Sequence, residues 1–478
     1  MIALYIIVSL TLLFLAVILI RAARFRPTAF DSTEVEGVLC DSELATRALS
    51  DMIACRTVSY NDKSLENEEE FVRYKEVLKA HFPTVFSSCE LIEPSSRSIL
   101  IRWRGRKNDS PTVLMAHYDV VSASESEWSR PAFSGLVENG FIWGRGALDT
   151  KCSMCGILCA GETLIKDGFV PENDIYLSFA GDEEIAGGGT PAIVSYLREN
   201  GISPSMVLDE GGAVVNNVFP GVSRPSALIG ISEKGMLNLE YTVRSVGGHA
   251  SAPKPNSPLS RLARALNKVE AKPFKFRITE PSKKLFNELA RHSSFAYRII
   301  FANLWCFAPI LDLLTRRQGG ELSALVRTTT AFTMAEGAGG ANVIPAVARL
   351  VSNHRILPGE SVDSAVKEIR NRIKDDTVEL NILYGMDPSP ISPTEGDAWE
   401  VIVRTARDSF GDIIVSPYLM LACSDSRHFS EICDRVYRFS PMLLTSEERA
   451  SIHGNDERIA VSSLEKIVEF YTRLIKRR

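Results

Sequence analysis

The chain has 478 residues and a formal net charge of -5, with 45% of its residues hydrophobic and 24% charged. A chain of this length exceeds one ordinary hydrophobic core and is predicted to form two domains after a short leader. The acidic balance, without a basic stripe of interleaved aromatic residues, argues against a nucleic-acid partner, and nine cysteines in so long a chain do not form a spaced disulfide framework.

The first 20 residues contain no charged side chain and are nearly all apolar, and Arg21, Arg24 and Arg26 follow them. A helix of 20 residues rises about 30 Å, the thickness of the hydrocarbon core of a bilayer. The segment lacks the basic start and the small-residue cleavage site that a signal peptide usually has. Residues 1–26 are therefore predicted to form an uncleaved, single-pass membrane anchor, and a cleaved signal peptide is the alternative.

The side of the membrane on which the rest of the chain lies stays open. Three arginines after the apolar run favour the cytoplasmic side under the positive-inside rule. The one N-glycosylation sequon, Asn108-Asp109-Ser110, is too common by chance to overrule them.

Residues 27–230 are predicted to form the first part of an α/β domain. Helical patterns cover 41–56 and 66–80, and short apolar runs then alternate with helical stretches. These segments are 98–103, 112–116, the helix 151–166, 175–180, the helix 191–199 and 206–208. This alternation predicts a mostly parallel sheet sandwiched by helices.

A separate α+β block is predicted over residues 231–388. Strand patterns at 236–244, 346–355 and 378–383 alternate with amphipathic helices at 259–269 and 362–373. The proline-rich stretch 388–393 marks its end. Because the α/β pattern resumes over 389–478, the block is predicted to be a lid domain inserted into the larger domain.

Residues 292–314 are apolar and rich in aromatic side chains, but Arg298 and Asp312 interrupt the run. Pro309 is expected to break a helix there. A buried helix or an interface is favoured over a second membrane span. A part in accommodating a lipid-like substrate stays open.

Acids and histidines close several of the apolar runs. They lie at the predicted carboxyl ends of strands, where open α/β sheets place their active sites. The residues are His117 and Asp119 after 113–116, Asp149 after a glycine loop, Glu183 and Glu184 after 175–180, Asp209 after 206–208, and His453 near the C-terminus.

The spacing of these residues suggests metal chemistry. Residues i and i+2 of a strand face the same side, so Asp119 can orient His117 while the histidine binds a metal. The adjacent carboxylates Glu183 and Glu184 diverge, so one can bind metal while the other addresses a water.

Charge balance favours two divalent ions. Two zinc ions would carry four positive charges, against three on Asp149, Glu184 and Asp209 and one on a bridging hydroxide. His117 and His453 would each add a neutral nitrogen, with Asp149 bridging the two ions. Histidine and carboxylate ligands with an open position are typical of catalytic zinc.

Six motifs together resemble the zinc-dependent aminoacylase, acetylornithine deacetylase and carboxypeptidase family of metallopeptidases. In chain order they are Met115–Val121, Gly144–Lys151, Gly181–Glu184, Asp209–Gly212, Gly247–Ser251 and Ile452–Gly454. Ile231–Gly235, Asn303–Trp305, Arg327–Ala331, Asn353–Gly359 and Ser424–Arg427 are most similar to the branch of carboxypeptidase S and the N-fatty-acyl-amino-acid synthase/hydrolase. The resemblance implies a di-zinc exopeptidase-like catalytic domain and two zinc ions per chain.

The resemblance also implies a role for each matching residue. One zinc would take His117, Asp149 and Asp209, and the other Asp149, Glu184 and His453. Glu183 would be the general base and Asp119 would orient His117. From the lid, His249 would stabilise the oxyanion, while Asn342 and Arg355 would hold the substrate. Many members carry a second Asp after the bridging one, where this chain has Thr150.

The expected activity is hydrolysis of the amide bond of N-acyl amino acids. A carboxypeptidase or dipeptidase with the same site is the alternative, and acyl-chain length and the net direction of reaction stay open. A catalytically inactive receptor on a peptidase scaffold is disfavoured by the complete ligand set. A nucleotide-binding protein is disfavoured because the Lys-Ser/Thr ending of a phosphate loop is missing. A homodimer through the lid is left open.

Overall fold

The computed structural model describes residues 1–27 and 37–478. Residues 28–36, at the start of the predicted catalytic domain, lie outside the described residues. The helices are α1 (Ile2–Arg24), α2 (Ser42–Ala54), α3 (Glu68–His81), α4 (Pro83–Ser88), α5 (Lys151–Lys166), α6 (Gly189–Glu199), α7 (Pro258–Glu270), α8 (Glu280–Arg291), α9 (Phe295–Phe301), α10 (Leu304–Gln318), α11 (Gly320–Ala324), α12 (Val362–Ile373), α13 (Asp397–Phe410), α14 (Ser446–Ser451) and α15 (Val461–Lys476).

Within the described residues, the strands form sheets of eight, four, three and two strands. They are β1 (Glu90–Ile92), β2 (Ser98–Trp103), β3 (Lys107–His117), β4 (Val137–Glu138), β5 (Phe141–Trp143), β6 (Asn173–Ala180), β7 (Met206–Val215), β8 (Ser226–Glu233), β9 (Gly235–Arg244), β10 (Gly248–His249), β11 (Thr329–Glu336), β12 (Val343–Ile344), β13 (Val347–Ile356), β14 (Glu379–Met386), β15 (Ile414–Met420), β16 (Val436–Leu444) and β17 (Arg458–Ala460).

The larger sheet has eight strands in the order β1-β2-β6-β3-β7-β16-β8-β15. Its centre, β6-β3-β7-β16, is parallel throughout, and β15 runs parallel to β8. β2 is antiparallel to β6, and β8 is antiparallel to β16. The parallel centre brings the carboxyl ends of four strands to one edge of the sheet, which is where the site is built.

Alternating side chains of the central strands enter two different cores, because successive residues of a strand point to opposite faces. On β3, Leu114 belongs to the core that α2, α5 and α15 cover. Val113 and Met115 belong to the core beneath α6. The sheet is thus covered by helices on both faces, and the predicted α/β class with a mostly parallel sheet is confirmed.

The second sheet has four antiparallel strands in the order β11-β13-β9-β14 and a core of its own. Helices α7 and α12 pack on this sheet, and the ladder β10–β12 adjoins it. Its strands come from within residues 231–388, the predicted lid domain. The boundaries 1–26, 27–230, 231–388 and 389–478 stay a prediction.

Helices α8 to α11 interrupt the chain between α7 and β11, and their apolar side chains serve the larger core instead. Leu285, Leu289 and Phe301 belong to that core. Pro309 lies inside α10, so the expectation that it breaks a helix there was wrong. The break falls earlier, between Phe301 and Leu304, where α9 and α10 meet at 102°.

The N-terminal helix α1 is long and apolar enough to cross a membrane, and so is the bent pair α9 and α10 taken together. The end of α1 contacts the turn between these two helices. The Arg21 guanidinium donates to the Ala302 carbonyl (3.0 Å) and to Asn303 Oδ1 (3.0 Å), and Asn303 Nδ2 donates to the Ile18 carbonyl (3.2 Å). Phe14 and Trp305 pack edge to face with ring centroids 5.8 Å apart. Such a helix is compatible with a membrane anchor or a signal sequence.

Candidate metal centre

Two histidines and four carboxylates converge at the carboxyl edge of the parallel strands. His117 ends β3, Glu183 and Glu184 follow β6 in a short 3-10 helix, and Glu210 lies on β7. Asp149 precedes α5 and His453 follows α14. Two sets of three, His117 with Asp149 and Glu184, and His117 with Glu183 and Glu210, have ligand atoms within 4.8 Å of one another.

Asp149 lies between the two histidines. Its Oδ1 is 3.1 Å from His117 Nε2, and its Oδ2 is 3.0 Å from His453 Nε2. Glu184 Oε1 is 3.1 Å from the same His453 nitrogen, and Glu210 Oε1 is 3.3 Å from His117 Nε2. The Asp149 carboxylate therefore contacts both histidines, as a ligand shared by two ions would.

Asp119 is fully buried and holds residues of the cluster in place through hydrogen bonds. Its backbone carbonyl is 3.0 Å from His117 Nδ1, which leaves Nε2 facing the other acids. Its two carboxylate oxygens accept hydrogen bonds from the backbone N–H groups of Glu183 and Glu184, each at 3.1 Å, and Ser59 Oγ donates to it as well. Asp119 thus fixes both the first histidine and the turn that carries the two glutamates.

Asp209 joins neither set. Glu210 lies in an irregular part of β7, next to Asp209, and its Oε1 is the β7 carboxylate oxygen that reaches His117 Nε2, at 3.3 Å. The buried Asp209 carboxylate instead accepts a hydrogen bond from the Ser426 backbone N–H at 3.2 Å. The assignment of Asp209 as a metal ligand stays a prediction, and the structure adds its neighbour Glu210 as a second candidate. The pair Asp209-Glu210 was the available signal, because it resembles Glu183-Glu184.

Glu457 is a second residue that sequence reasoning missed. Its buried carboxylate accepts hydrogen bonds from the backbone N–H groups of Gly146, Leu148 and Asp149 and from the Arg145 guanidinium (2.8 Å). The other arm of Arg145 donates to the Gly454 carbonyl at 2.8 Å. Glu457 and Arg145 therefore tie the loop of Asp149 to the loop of His453. Arg145 lies within the motif Gly144–Lys151, but no sequence pattern pointed to Glu457 or to this pairing.

The electrostatics of the cluster favour a bound cation. Burial and neighbouring carboxylates raise the pKa of Glu183 well above its usual range and that of Glu210 to about 8. Hydrogen bonds with Asp149 and Glu184 raise the pKa of His453 to about 10. Although burial opposes it, hydrogen bonds from the two histidines lower the pKa of Asp149. Without an ion, protonated histidines balance the charge of these closely spaced carboxylates. A divalent ion would supply that positive charge instead.

The cluster opens into a cavity of about 770 Å³ that is large enough for a small-molecule substrate. Arg355 lines this cavity from the lid strand β13, beside Asn238 and Tyr384. His249 and Asn342 lie elsewhere. They share the exposed ladder β10–β12, where the Ala250 backbone N–H donates to the Asn342 carbonyl at 2.9 Å, and neither lines the cavity.

The predicted site residues therefore divide into three groups. The structure brings together His117, Asp119, Asp149, Glu183, Glu184 and His453, and Arg355 lines the same cavity. Asp209 belongs to neither ligand set. His249 and Asn342 are neighbours of one another on the lid.

Comparison with known proteins gives consistent matches over nearly the whole chain. The sequence profile described as Peptidase family M20/M25/M40 matches residues 113–477. A probable carboxypeptidase S-like 2 of Dictyostelium discoideum is 36% identical over 446 residues, covering 92% of this chain and 85% of the relative. The N-fatty-acyl-amino acid synthase/hydrolase PM20D1 of Xenopus tropicalis is 37% identical over 437 residues, covering 90% of this chain and 85% of the relative.

A solved structure gives the same fold. The M20 family metallo-carboxypeptidase Sso-CP2 from Sulfolobus solfataricus superimposes with a TM-score of 0.67. The match covers 90% of this chain and 98% of that one at 17% sequence identity.

Proposed function

The chain belongs to peptidase family M20/M25/M40, and from this premise we propose that it is a two-zinc hydrolase cleaving the amide bond of N-acyl amino acids. The observation that carries the proposal is the position of Asp149 between His117 and His453, in one cavity with Arg355. The relatives named as N-fatty-acyl-amino acid synthase/hydrolase support this substrate class. Acyl-chain length and the net direction of the reaction remain open.

The donor set fits zinc, which prefers imidazole nitrogen and carboxylate oxygen. We assign Asp149 to both ions, Glu184 and His453 to one, and His117 with Glu210 to the other. Glu210 takes the place predicted for Asp209, because it faces His117. When bound, such a pair of ions lowers the pKa of a water and polarises a carbonyl.

Side chains of the protein would carry out the proton transfer and bind the substrate. Glu183 accepts the proton of the water that attacks the amide carbon, and then donates it to the amine nitrogen as the carbon–nitrogen bond breaks. Arg355 binds the free carboxylate of the amino acid, for which a guanidinium offers bidentate geometry. The products are a carboxylate and a free amino acid.

His249 and Asn342 are proposed to contribute to oxyanion stabilisation and substrate binding. Because neither lines the cavity, these roles require a movement of the lid or a second copy of the chain. A homodimer through the lid would supply such a copy. We also propose that residues 231–388 form a lid domain inserted into the catalytic domain.

The alternative function is that of a carboxypeptidase or dipeptidase acting on short peptides. The relatives named as carboxypeptidase S-like and carboxypeptidase S favour it, and the cavity would hold a peptide's terminal carboxylate with the same Arg355. The two functions differ in what lies on the acyl side of the scissile bond.

The experiment that separates them compares three substrates on the zinc-loaded full chain in detergent. These are N-oleoyl-phenylalanine, N-acetyl-phenylalanine and simple dipeptides. Turnover of the N-acyl amino acids supports the proposal. Turnover of dipeptides alone selects the alternative, and turnover of none in a fully zinc-loaded sample refutes both.

We propose finally that α1 is retained as a single-pass membrane anchor, with the side of the catalytic domain left open. Its last turn is held by Asn303 and by the Ala302 carbonyl, contacts that a cleaved leader would not keep.

A further inference from the structure

The side chains that line the cavity at the metal centre differ between the two sheets. Lid strands β9, β13 and β14 contribute the polar Asn238, Arg355 and Tyr384, together with Met236 and Met386. Strands β15 and β16 and the loop before His453 contribute the apolar Met420, Met442, Leu444 and Ile452, together with Ser440. An N-acyl amino acid has the same asymmetry, with a carboxylate on one side of the amide bond and an acyl chain on the other.

A second cavity is also lined in part by β15. It measures about 130 Å³, lies between α8, α11 and β15, and is lined mainly by Phe219, Leu285, Leu289, Leu322, Leu325 and Tyr418. Arg449 lines both cavities, so they meet at this side chain. None of the residues proposed for the metal centre or for the amino-acid end lines the second cavity.

The junction is held by an exposed ion pair. Arg449 Nη2 lies 3.1 Å from Glu321 Oε1, and the two side chains are 46% and 59% exposed. Ion pairs as exposed as this one contribute little to stability, so the arginine can swing aside at small cost. Its displacement would join the two cavities into one channel that starts beside Glu183 and ends among leucines.

The wall of the second cavity is continuous with the elements that contact the apolar helix α1. The Phe219 ring lies 4.6 Å from that of Phe301, which ends α9. The next residues, Ala302 and Asn303, bind Arg21 of α1. The cavity is therefore placed beside the part of the molecule most suited to a bilayer, where long acyl chains partition.

We infer that the second cavity is the binding site for the acyl chain of the substrate, with the Arg449–Glu321 pair at its entrance. The inference rests on the proposed function and adds to it the direction in which a substrate lies. The carboxylate points to Arg355 and the chain runs past Met442 and Leu444 to the leucines of α8 and α11. Each methylene buried there would strengthen binding on the order of fourfold.

The test is the substitution Leu322→Trp, which fills the second cavity from a partly exposed position. We expect the ratio of kcat/KM for N-oleoyl-phenylalanine to that for N-acetyl-phenylalanine to fall at least tenfold. The matched control is Leu266→Trp on the lid helix α7, where leucine is also partly exposed but lines neither cavity. The control should keep the wild-type ratio.

A second variant guards against misfolding of the first. Leu289→Ala enlarges the same cavity and should shift the preferred acyl length upward in a series from acetyl to oleoyl. If the wild-type chain cleaves the series but neither variant changes the length preference, the acyl site is wrong while the proposed function stands. If wild type cleaves no N-acyl amino acid, the proposed function itself fails.

Discussion

Two neighbouring acids on β7 have different surroundings, and this difference is the basis for proposing Glu210 as a metal ligand. Glu210 reaches His117, whereas Asp209 accepts a hydrogen bond from the Ser426 backbone. The order of the two acids is evident in the sequence, but the register shift is not: Arg438 pairs with Asp209 and Phe439 with Gly212, so Glu210 and Gly211 form an irregularity in β7. This irregularity is visible only in the structure.

We predict that Glu210→Ala lowers the zinc content of the purified chain by about one ion, because it removes one side chain of a three-residue ligand set. Asp209→Ala should keep both ions and weaken zinc affinity about 10- to 100-fold, as supporting residues do. Zinc content by elemental mass spectrometry and affinity by chelator titration test both variants. The reverse pattern would restore Asp209 as the ligand.

Glu457 is predicted to position both metal-binding loops. Glu457→Gln weakens a fully buried ion pair with Arg145 and should lower the free energy of unfolding by about 3 kcal/mol. It should also move zinc release to lower chelator concentration. Asp174→Asn is the control, because Asp174 is equally buried, pairs with Arg102 and lies at the start of β6, far along the strand from Glu183.

The Asp174→Asn control should lose stability without a matching change in the chelator concentration that releases zinc. Equal zinc affinity in Glu457→Gln and wild type would reduce Glu457 to a general structural role.

Lys234 gives a pH dependence that does not involve the metal ligands. Burial first, and then the charge of Arg355, lower the pKa of Lys234 from 10.5 to about 7. The unfolded chain therefore holds one more proton between about pH 7 and pH 10, so the free energy of unfolding rises with pH over that range. Between pH 7 and pH 9, wild type should gain on the order of 2 kcal/mol relative to Lys234→Met.

Urea unfolding of both proteins at the two pH values measures this gain. Lys275→Met, at an exposed lysine, serves as the control and should follow wild type. A difference between wild type and Lys234→Met that does not change with pH would mean that Lys234 stays protonated in the folded chain.

At the scale of elements, the sequence predicted strands and helices best where periodicity was strong. The predicted helices 151–166 and 362–373 have the bounds of α5 and α12. The strands β8, β11 and β15 were not predicted. Of these, β8 is buried along its whole length and lacks the alternation that marks a half-buried strand, while β11 is largely exposed and carries little apolar pattern.

The N-terminal helix carries a prediction of its own. Because Asn303 and the Ala302 carbonyl hold the end of α1, we predict that the mature chain retains residues 1–26 and sediments with membranes. Mass spectrometry of the N-terminal peptide from the membrane fraction tests this. A mature chain that begins after Arg26 and is released in soluble form would identify the segment as a signal peptide.

Across the whole molecule, the α/β class and the convergence of most residues of the candidate metal centre could be predicted because they depend on local patterns. Side chains at the carboxyl ends of parallel strands meet at one edge of the sheet, whatever the conformation of the loops. The sequence could therefore predict that His117, Asp149, Glu183 and Glu184 lie close together. The lid is different. His249 was found through a motif alone, and its distance from the centre depends on how two separately packed cores are oriented.

The same limit applies to the second cavity and to Glu457. Both depend on residues far apart in the chain, such as Leu289 and Tyr418 on the cavity wall, or Arg145 and Glu457 across the site. No spacing in the sequence predicts such pairs. These residues come together only in the folded chain.

One measurement decides whether Glu183 moves the proton in the proposed metal-dependent amide hydrolysis. It is the turnover of N-oleoyl-phenylalanine by the full-length, zinc-loaded Glu183→Ala variant, with zinc content determined on the same sample. Loss of general-base catalysis predicts that kcat falls by about a thousandfold while zinc stays near two ions per chain. Wild-type turnover in a variant with its zinc intact would exclude Glu183 as the general base.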